Sequence, residues 1–94
     1  MPDVHLTGQL ICRSADEDAL VRDYLPRHIA LTRAEPGCVA FDVAPSATPW
    51  VWDVAEQFRD EASFRAHQQR VAASEWGTRT AGIERRYTVQ GLAD

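Results

Sequence analysis

Lysine and asparagine are both missing from the 94 residues, and all ten basic side chains other than histidine are arginine. Without lysine the chain cannot form a Schiff base with a carbonyl substrate. Without asparagine it lacks one of the neutral amides that active sites use to hold an oxyanion. Cysteine is scarce, at Cys12 and Cys38 only. There is no CxxC and no Cys/His ligand spacing, so no metal site is expected, and both thiols read as small buried hydrophobes. A basic excess is missing as well. The net charge of −4 and pI near 5.2 argue against a nucleic-acid surface or an anionic membrane surface as partner. No apolar run approaches the roughly 20 residues of a membrane span. The start, MPDVHLTGQ, lacks the basic-then-apolar order of a signal peptide. A soluble cytoplasmic protein is expected. Repeats, linkers and low-complexity stretches are absent, and the length suits one domain over residues 1–94. A chain this short buries only roughly 60–65% of its unfolded surface, a limit that forming a dimer relieves.

What is present is organised around Pro49–Trp76. Trp50, Trp52, Val54, Glu56 and Phe58 alternate with Val51, Asp53, Ala55, Gln57 and Arg59, which is the period of a strand. The face with three aromatics is expected to face the core, and it carries Glu56 inward with it. Asp60 is a good N-cap for a helix, with Glu61 in the first turn. Phe64, His67 and Val71 then recur on one helical face. An inward acid, an inward imidazole and aromatic rings are the material of a pocket. They are equally the content of an ordinary core with two satisfied polar groups.

The remaining elements frame this stretch. Val4, Leu6, Gly8, Leu10 and Cys12 form the apolar face of a first strand, leaving His5 on a mixed face. Ser14-Ala-Asp-Glu17 has the capping-box pattern and opens a helix. Its stripe is Leu20, Tyr24, His28 and Leu31, widened by Val21 and Leu25, and Pro26 is expected to kink or split it. Glu35-Pro36-Gly37 ends that helix, and Cys38–Ala44 is a second strand with Val39, Phe41 and Val43 inward. The five-residue loop Pro45–Pro49 fits a hairpin to the third strand. Gly77 is expected to end or bend the second helix, and Ile83–Gln90 is the last strand.

Strand, helix, strand, strand, helix, strand, with right-handed crossovers, predicts an α+β ferredoxin-like fold. It is a four-stranded antiparallel sheet, order 4-1-3-2, with both helices on one face. Strand three then separates Cys12 from Cys38, so no disulfide is expected. The other sheet face carries His5, Thr7, Ile11, Cys38, Ala40, Ala44, Val51 and Ala55, a small mixed surface suited to packing against another sheet in a homodimer.

Three segments, TRAEPGCVAFDV, then Glu56-Gln-Phe58, then DEASFRAH, together resemble the antibiotic biosynthesis monooxygenase family, including its quinol monooxygenase-like members, over about Leu6 to Val89. The resemblance implies a dimeric α/β barrel in which two ferredoxin-like protomers pack sheet to sheet. It also implies oxidation of an electron-rich phenol, quinol or anthrone by O2 with no flavin, metal or haem. The protein's share is to bind the aromatic compound, take a proton and stabilise the anion. Phe64-Arg-Ala-His67 matches the family's Phe-x-x-His, Phe58 stands where many members have Trp, and Glu56 matches the Glu two positions earlier. Family members that oxidise anthrones, and the haem-degrading ones, use a pocket Asn. Its absence here argues against haem degradation and leaves His67, Arg86 or a backbone donor to take the amide's role.

The candidate catalytic residues are His67 and Glu56. Glu56 is either the orienter of His67, a base itself if burial raises its pKa, or a structural partner of an inward arginine such as Arg85. His67 is a base or a donor to substrate oxygen, or it holds helix to sheet by bonding Glu56 or a backbone carbonyl. Trp52, Phe58, Phe64, Trp76, His28 and Arg86 are the candidate substrate contacts. Trp52 and Trp76 are preferred among the aromatics, and Arg85 and Arg86 face opposite ways. Three readings stand: a cofactor-independent monooxygenase, a non-catalytic small-ligand-binding homodimer, and a purely structural domain. A large closed pocket with His67 unpaired favours the first, and a collapsed pocket the second. In the third, His67→Ala costs stability alone.

Overall fold

Alternation and capping set the elements. The computed structural model describes residues 3–92. Strand β1 (Val4–Ile11) is followed by helix α1 (Ala15–Arg33), strands β2 (Cys38–Pro45) and β3 (Val51–Phe58), helices α2 (Glu61–Ala72) and α3 (Glu75–Arg79), and strand β4 (Glu84–Gln90). The sheet order is β2-β3-β1-β4 with every pairing antiparallel. This is the ferredoxin-like arrangement that the order of elements predicted. Cys12 and Cys38 are both free thiols.

Side-chain caps start the helices where the sequence places them. Ser14 Oγ accepts from the Glu17 amide, and Asp60 Oδ1 accepts from the Ser63 amide. The Ser14 box closes differently from the pattern: Glu17 takes the Arg13 amide and guanidinium instead of the Ser14 amide. Helix α1 runs through Pro26 as one helix of 19 residues, so the expected split does not occur. Its buried line is Asp18, Val21, Leu25, His28 and Thr32. Leu31, expected on that stripe, is exposed, and Thr32 is fully buried in its place, where its hydroxyl accepts from Arg70.

Three other expectations fail at irregular backbone. Trp50 is 45% exposed and has φ 67°, because it belongs to the turn ahead of β3 and not to the strand. The alternation therefore begins one residue later, at Val51. A register shift between Cys38 and Ala40 is a β-bulge, and it breaks the period-two alternation. Val39 is exposed as a result, while Cys38 packs against the core and leaves the outer sheet face. Gly77 does not end α2. It lies inside α3, whose N-cap is Ser74. A Cβ at Gly77 would run into the Val71 carbonyl, so glycine here lets α3 close onto the end of α2.

The core joins β1, β3 and the helices through Val4, Leu6, Leu10, Val21, Val54 and Phe58, among others. Beyond the helices, the opposite sheet face leaves His5, Thr7, Ala40, Ala44 and Ala55 exposed. Among the described residues no helix is long and apolar enough to cross a membrane.

Candidate active site

Helix α1 supplies His28, α2 supplies His67 and α3 supplies Trp76, all facing the sheet residues Phe41, Glu56, Arg85 and Tyr87. These side chains line one cavity of about 170 Å³, completed by apolar residues of β1–β3 and by Gln68 and Val71 of α2. His28 and Trp76 stack in parallel, with centroids 4.6 Å apart and an angle of 5°. Phe41 meets the His28 ring edge-on at 5.2 Å. One wall of the cavity is therefore built of flat rings.

His67 is held from both sides, and the unpaired imidazole expected of an enzyme is not found. Its ring lies 4.8 Å from Phe58, centroid to centroid. Its Nδ1 is 2.7 Å from Glu35 Oε1, and a carboxylate can only accept there, so Nδ1 carries the hydrogen. Arg70 donates to the same Glu35 oxygen at 3.1 Å. That assignment leaves the His67 Nε2 lone pair facing Glu56 Oε1 at 3.6 Å, too long for a hydrogen bond.

Glu56 and His28 are the unsatisfied members. Both are more than nine-tenths buried, and among the described residues neither Glu56 Oε1 nor His28 Nδ1 has a hydrogen-bond partner. Burial, aided by the Glu35 charge, pushes the Glu56 carboxyl up to about 7. Burial, reinforced by the positive charge of Arg70 and Arg85, pulls His28 down to about 3, so its ring is neutral. His67 is lowered by burial, with the Glu35 hydrogen bond opposing. Burial raises the Tyr87 phenol to about 12, leaving it a neutral hydroxyl. Arg85 donates to the Thr80 and Ile83 carbonyls at 2.8 and 3.0 Å and to the Thr80 hydroxyl at 2.8 Å, which fixes a cation at the cavity edge. The chemistry on offer is proton transfer at Glu56 and His67 within an aromatic-walled space that has a nearby cation.

Of the residues singled out from the sequence, the cavity brings together His67, Glu56, Trp76 and His28. It leaves out Trp52, Phe58, Phe64 and Arg86. Trp52 points toward the start of α1, where its indole N–H donates to Asp18 at 2.9 Å and Arg22 lies over its ring. Phe58 is wholly buried behind His67, and Phe64 packs on Phe58. Arg86 is exposed and bonded to Glu84 at 2.6 Å; Arg85, one residue away and on the other face, occupies the cavity edge. The suggested Glu56–Arg85 ion pair is not formed, since Arg85 spends its donors on Thr80 and Ile83. Among the described residues no group of three or more His, Cys, Asp or Glu side chains is placed to hold a metal ion. Glu35, Phe41 and Tyr87 were missed as site residues. Tyr87 shares its strand parity with Ile83 and was visible as an inward residue, whereas nothing in the sequence pairs Glu35 with His67.

No curated protein matches the chain. Solved structures do. Rv0793 from Mycobacterium tuberculosis is 23% identical with a TM-score of 0.75, covering 99% of this chain and 97% of that one. PA3566 from Pseudomonas aeruginosa is 21% identical with a TM-score of 0.76, covering 100% and 97%. MupZ from Pseudomonas fluorescens is 19% identical with a TM-score of 0.77, covering 95% of this chain and 67% of MupZ. At these identities the likeness is one of fold. The family model for antibiotic biosynthesis monooxygenases matches residues 9–79, from the middle of β1 to the end of α3. The match spans Glu35, Glu56 and His67, and with it the chain belongs to the antibiotic biosynthesis monooxygenase family.

Proposed function

We propose that the protein is a cofactor-independent monooxygenase that oxidises an electron-rich phenol or quinol with O2. The observation that carries this reading is the buried Glu56 carboxyl in an aromatic-walled cavity, whose Oε1 has no hydrogen-bond partner among the described residues. A base poised near neutrality is suited to taking a phenolic proton. Glu56 takes the proton, and the Arg85 cation with the Tyr87 hydroxyl stabilises the phenolate, the role that a pocket Asn has elsewhere in the family. The phenolate passes an electron to O2, and the two radicals combine into a peroxide on a ring carbon that bears hydrogen. Glu56 returns its proton to the peroxide, the ring carbon gives up its hydrogen as a proton, and the O–O bond breaks. One oxygen atom stays on that carbon, which becomes a carbonyl, and the other leaves with the two protons as water. All the electrons come from the substrate, so no external reductant enters. His67, oriented by Glu35 through Nδ1, keeps its Nε2 lone pair free to take the ring C–H proton.

The working unit is a homodimer formed through the open sheet face, supported by the small exposed side chains there and by the family's architecture. A single-protomer mass in sedimentation equilibrium would overturn that part. The reaction is tested by oxygen uptake with hydroquinones and anthrones, no cofactor added, on folded wild type and folded His67→Ala. Saturable uptake that falls at least about tenfold in the variant is expected. Equal uptake by both reports autoxidation and removes His67 from the chemistry. The cavity would then be that of a non-catalytic ligand-binding dimer.

A further inference from the structure

The cavity carries more than a base. Among the described residues it has two buried polar atoms without a partner, Glu56 Oε1 and His28 Nδ1, on residues from opposite layers, one from the sheet and one from α1. Leaving such an atom unmet costs the folded protein a desolvation penalty that a ligand group can recover. The space is also small. Ligand pockets for drug-sized compounds run to about 300–1,000 Å³, and a cavity of about 150 Å³ holds one benzene. At about 170 Å³, this one matches a single six-membered ring with small substituents. The His28–Trp76 stack and the Phe41 edge suit a flat ring.

We infer that the site takes a one-ring aromatic compound with two hydroxyl groups, one meeting Glu56 and the other meeting His28 Nδ1. Hydroxyls fit both positions because each can donate and accept: a carboxylate needs a donor, and a neutral imidazole nitrogen takes either role according to its tautomer. A second carboxylate on the ligand would meet Glu56 with like charge. An apolar substituent would leave His28 unmet. His28 is thereby the specificity-determining residue, and its ring, kept neutral by burial, takes no part in proton transfer.

This rests on reading the cavity as a substrate site, so its test is a binding measurement that excludes oxygen. Anaerobic calorimetric titration compares phenol, the three benzenediols, a naphthalenediol and a dihydroxyanthraquinone on wild type, His28→Phe and His28→Gln. Phe keeps the ring stacked on Trp76 and deletes Nδ1, whereas Gln keeps a hydrogen-bonding group. In wild type, the best benzenediol is expected to bind about tenfold tighter than phenol, and the three-ring compound not at all. In His28→Phe the advantage over phenol disappears, and in His28→Gln part of the advantage returns. A three-ring compound binding as tightly as the benzenediol overturns the inference, as does an advantage that survives His28→Phe, or no benzenediol binding. Those failures leave oxygenation of a larger substrate standing. Tight benzenediol binding without oxygen uptake keeps the ligand class and removes the reaction.

Discussion

Replacing Glu56 with glutamine is expected to lower turnover by about 10²–10⁴-fold and, at the same time, to make the protein more stable at alkaline pH. The two effects share one cause. In the folded state the carboxyl titrates at about 7, against 4.5 when unburied. Below pH 4.5 both states hold the proton and Glu56 contributes no pH dependence. As pH rises from 4.5 the unfolded state releases its proton first, so stability falls until the folded carboxyl also ionises near pH 7, and is level above that. The accumulated loss is on the order of 3 kcal/mol. The amide of Glu56→Gln cannot ionise. The variant's advantage over wild type should therefore approach that figure at about pH 8, less the cost of burying an amide, and shrink steadily toward pH 4.5. Urea unfolding of both proteins between about pH 4.5 and 8 reads this directly. His28 and His67 act in the opposite sense, losing stability as pH falls below 6.5, but they are common to both proteins and cancel in the difference. Parallel stability curves would mean that Glu56 is not the buried neutral acid described here.

Phe58→Ala should cost about 3–5 kcal/mol of stability, the range for emptying a fully buried aromatic position. Phe58 has no exposed surface, meets Phe64 with ring centroids 5.9 Å apart and backs the His67 ring. In a chain of this length such a loss can unfold the protein at room temperature, so Phe58→Leu, which leaves a much smaller void, is the informative companion. The urea midpoint of Phe58→Leu should fall without a change in slope, and its KM for a phenolic substrate should stay near wild type. A raised KM with unchanged stability would put Phe58 back among the substrate contacts.

The fold could be read from the chain because its signals are local. Period-two alternation in Val4–Cys12 and Trp52–Phe58, the caps at Ser14 and Asp60, and the Glu35-Pro36-Gly37 break each act over a few residues. Sequence reasoning fails where the backbone departs from ideal geometry: at the bulge that turns Val39 out, and at the left-handed turn residue Trp50. Neither leaves a compositional mark. In the site, Glu56 and His67 were accessible because strand and helix periods both aim them inward. Trp52, Phe58 and Phe64 show the limit of that reasoning, since alternation reveals which side of a sheet a ring is on and not whether open space lies beside it. Glu35 was hidden for a different reason. It lies 32 positions from His67 in a segment whose only visible role is to end α1, and only the packing of α2 against that turn brings the two together. Arg85 was within reach, since Ile83 and Tyr87 mark its strand face as the inward one, although adjacency by itself does not choose between it and Arg86.

Family membership places the chain among proteins of one fold, and the residues in the cavity have to carry the chemistry. Here the absent asparagine is the point on which the account turns. If the Arg85 cation and the Tyr87 hydroxyl stabilise the phenolate while Glu56 holds its proton, the reaction runs without the amide. The most direct measurement is incubation of wild type and Glu56→Gln with a benzenediol under isotopically labelled dioxygen, with mass analysis of the product. One labelled oxygen atom in each product molecule is expected, together with labelled water, at a saturable rate well above autoxidation and lost in Glu56→Gln. Product that carries no label, or label arriving at the same rate in both proteins and in buffer alone, would contradict the assignment of an oxygenase centred on Glu56.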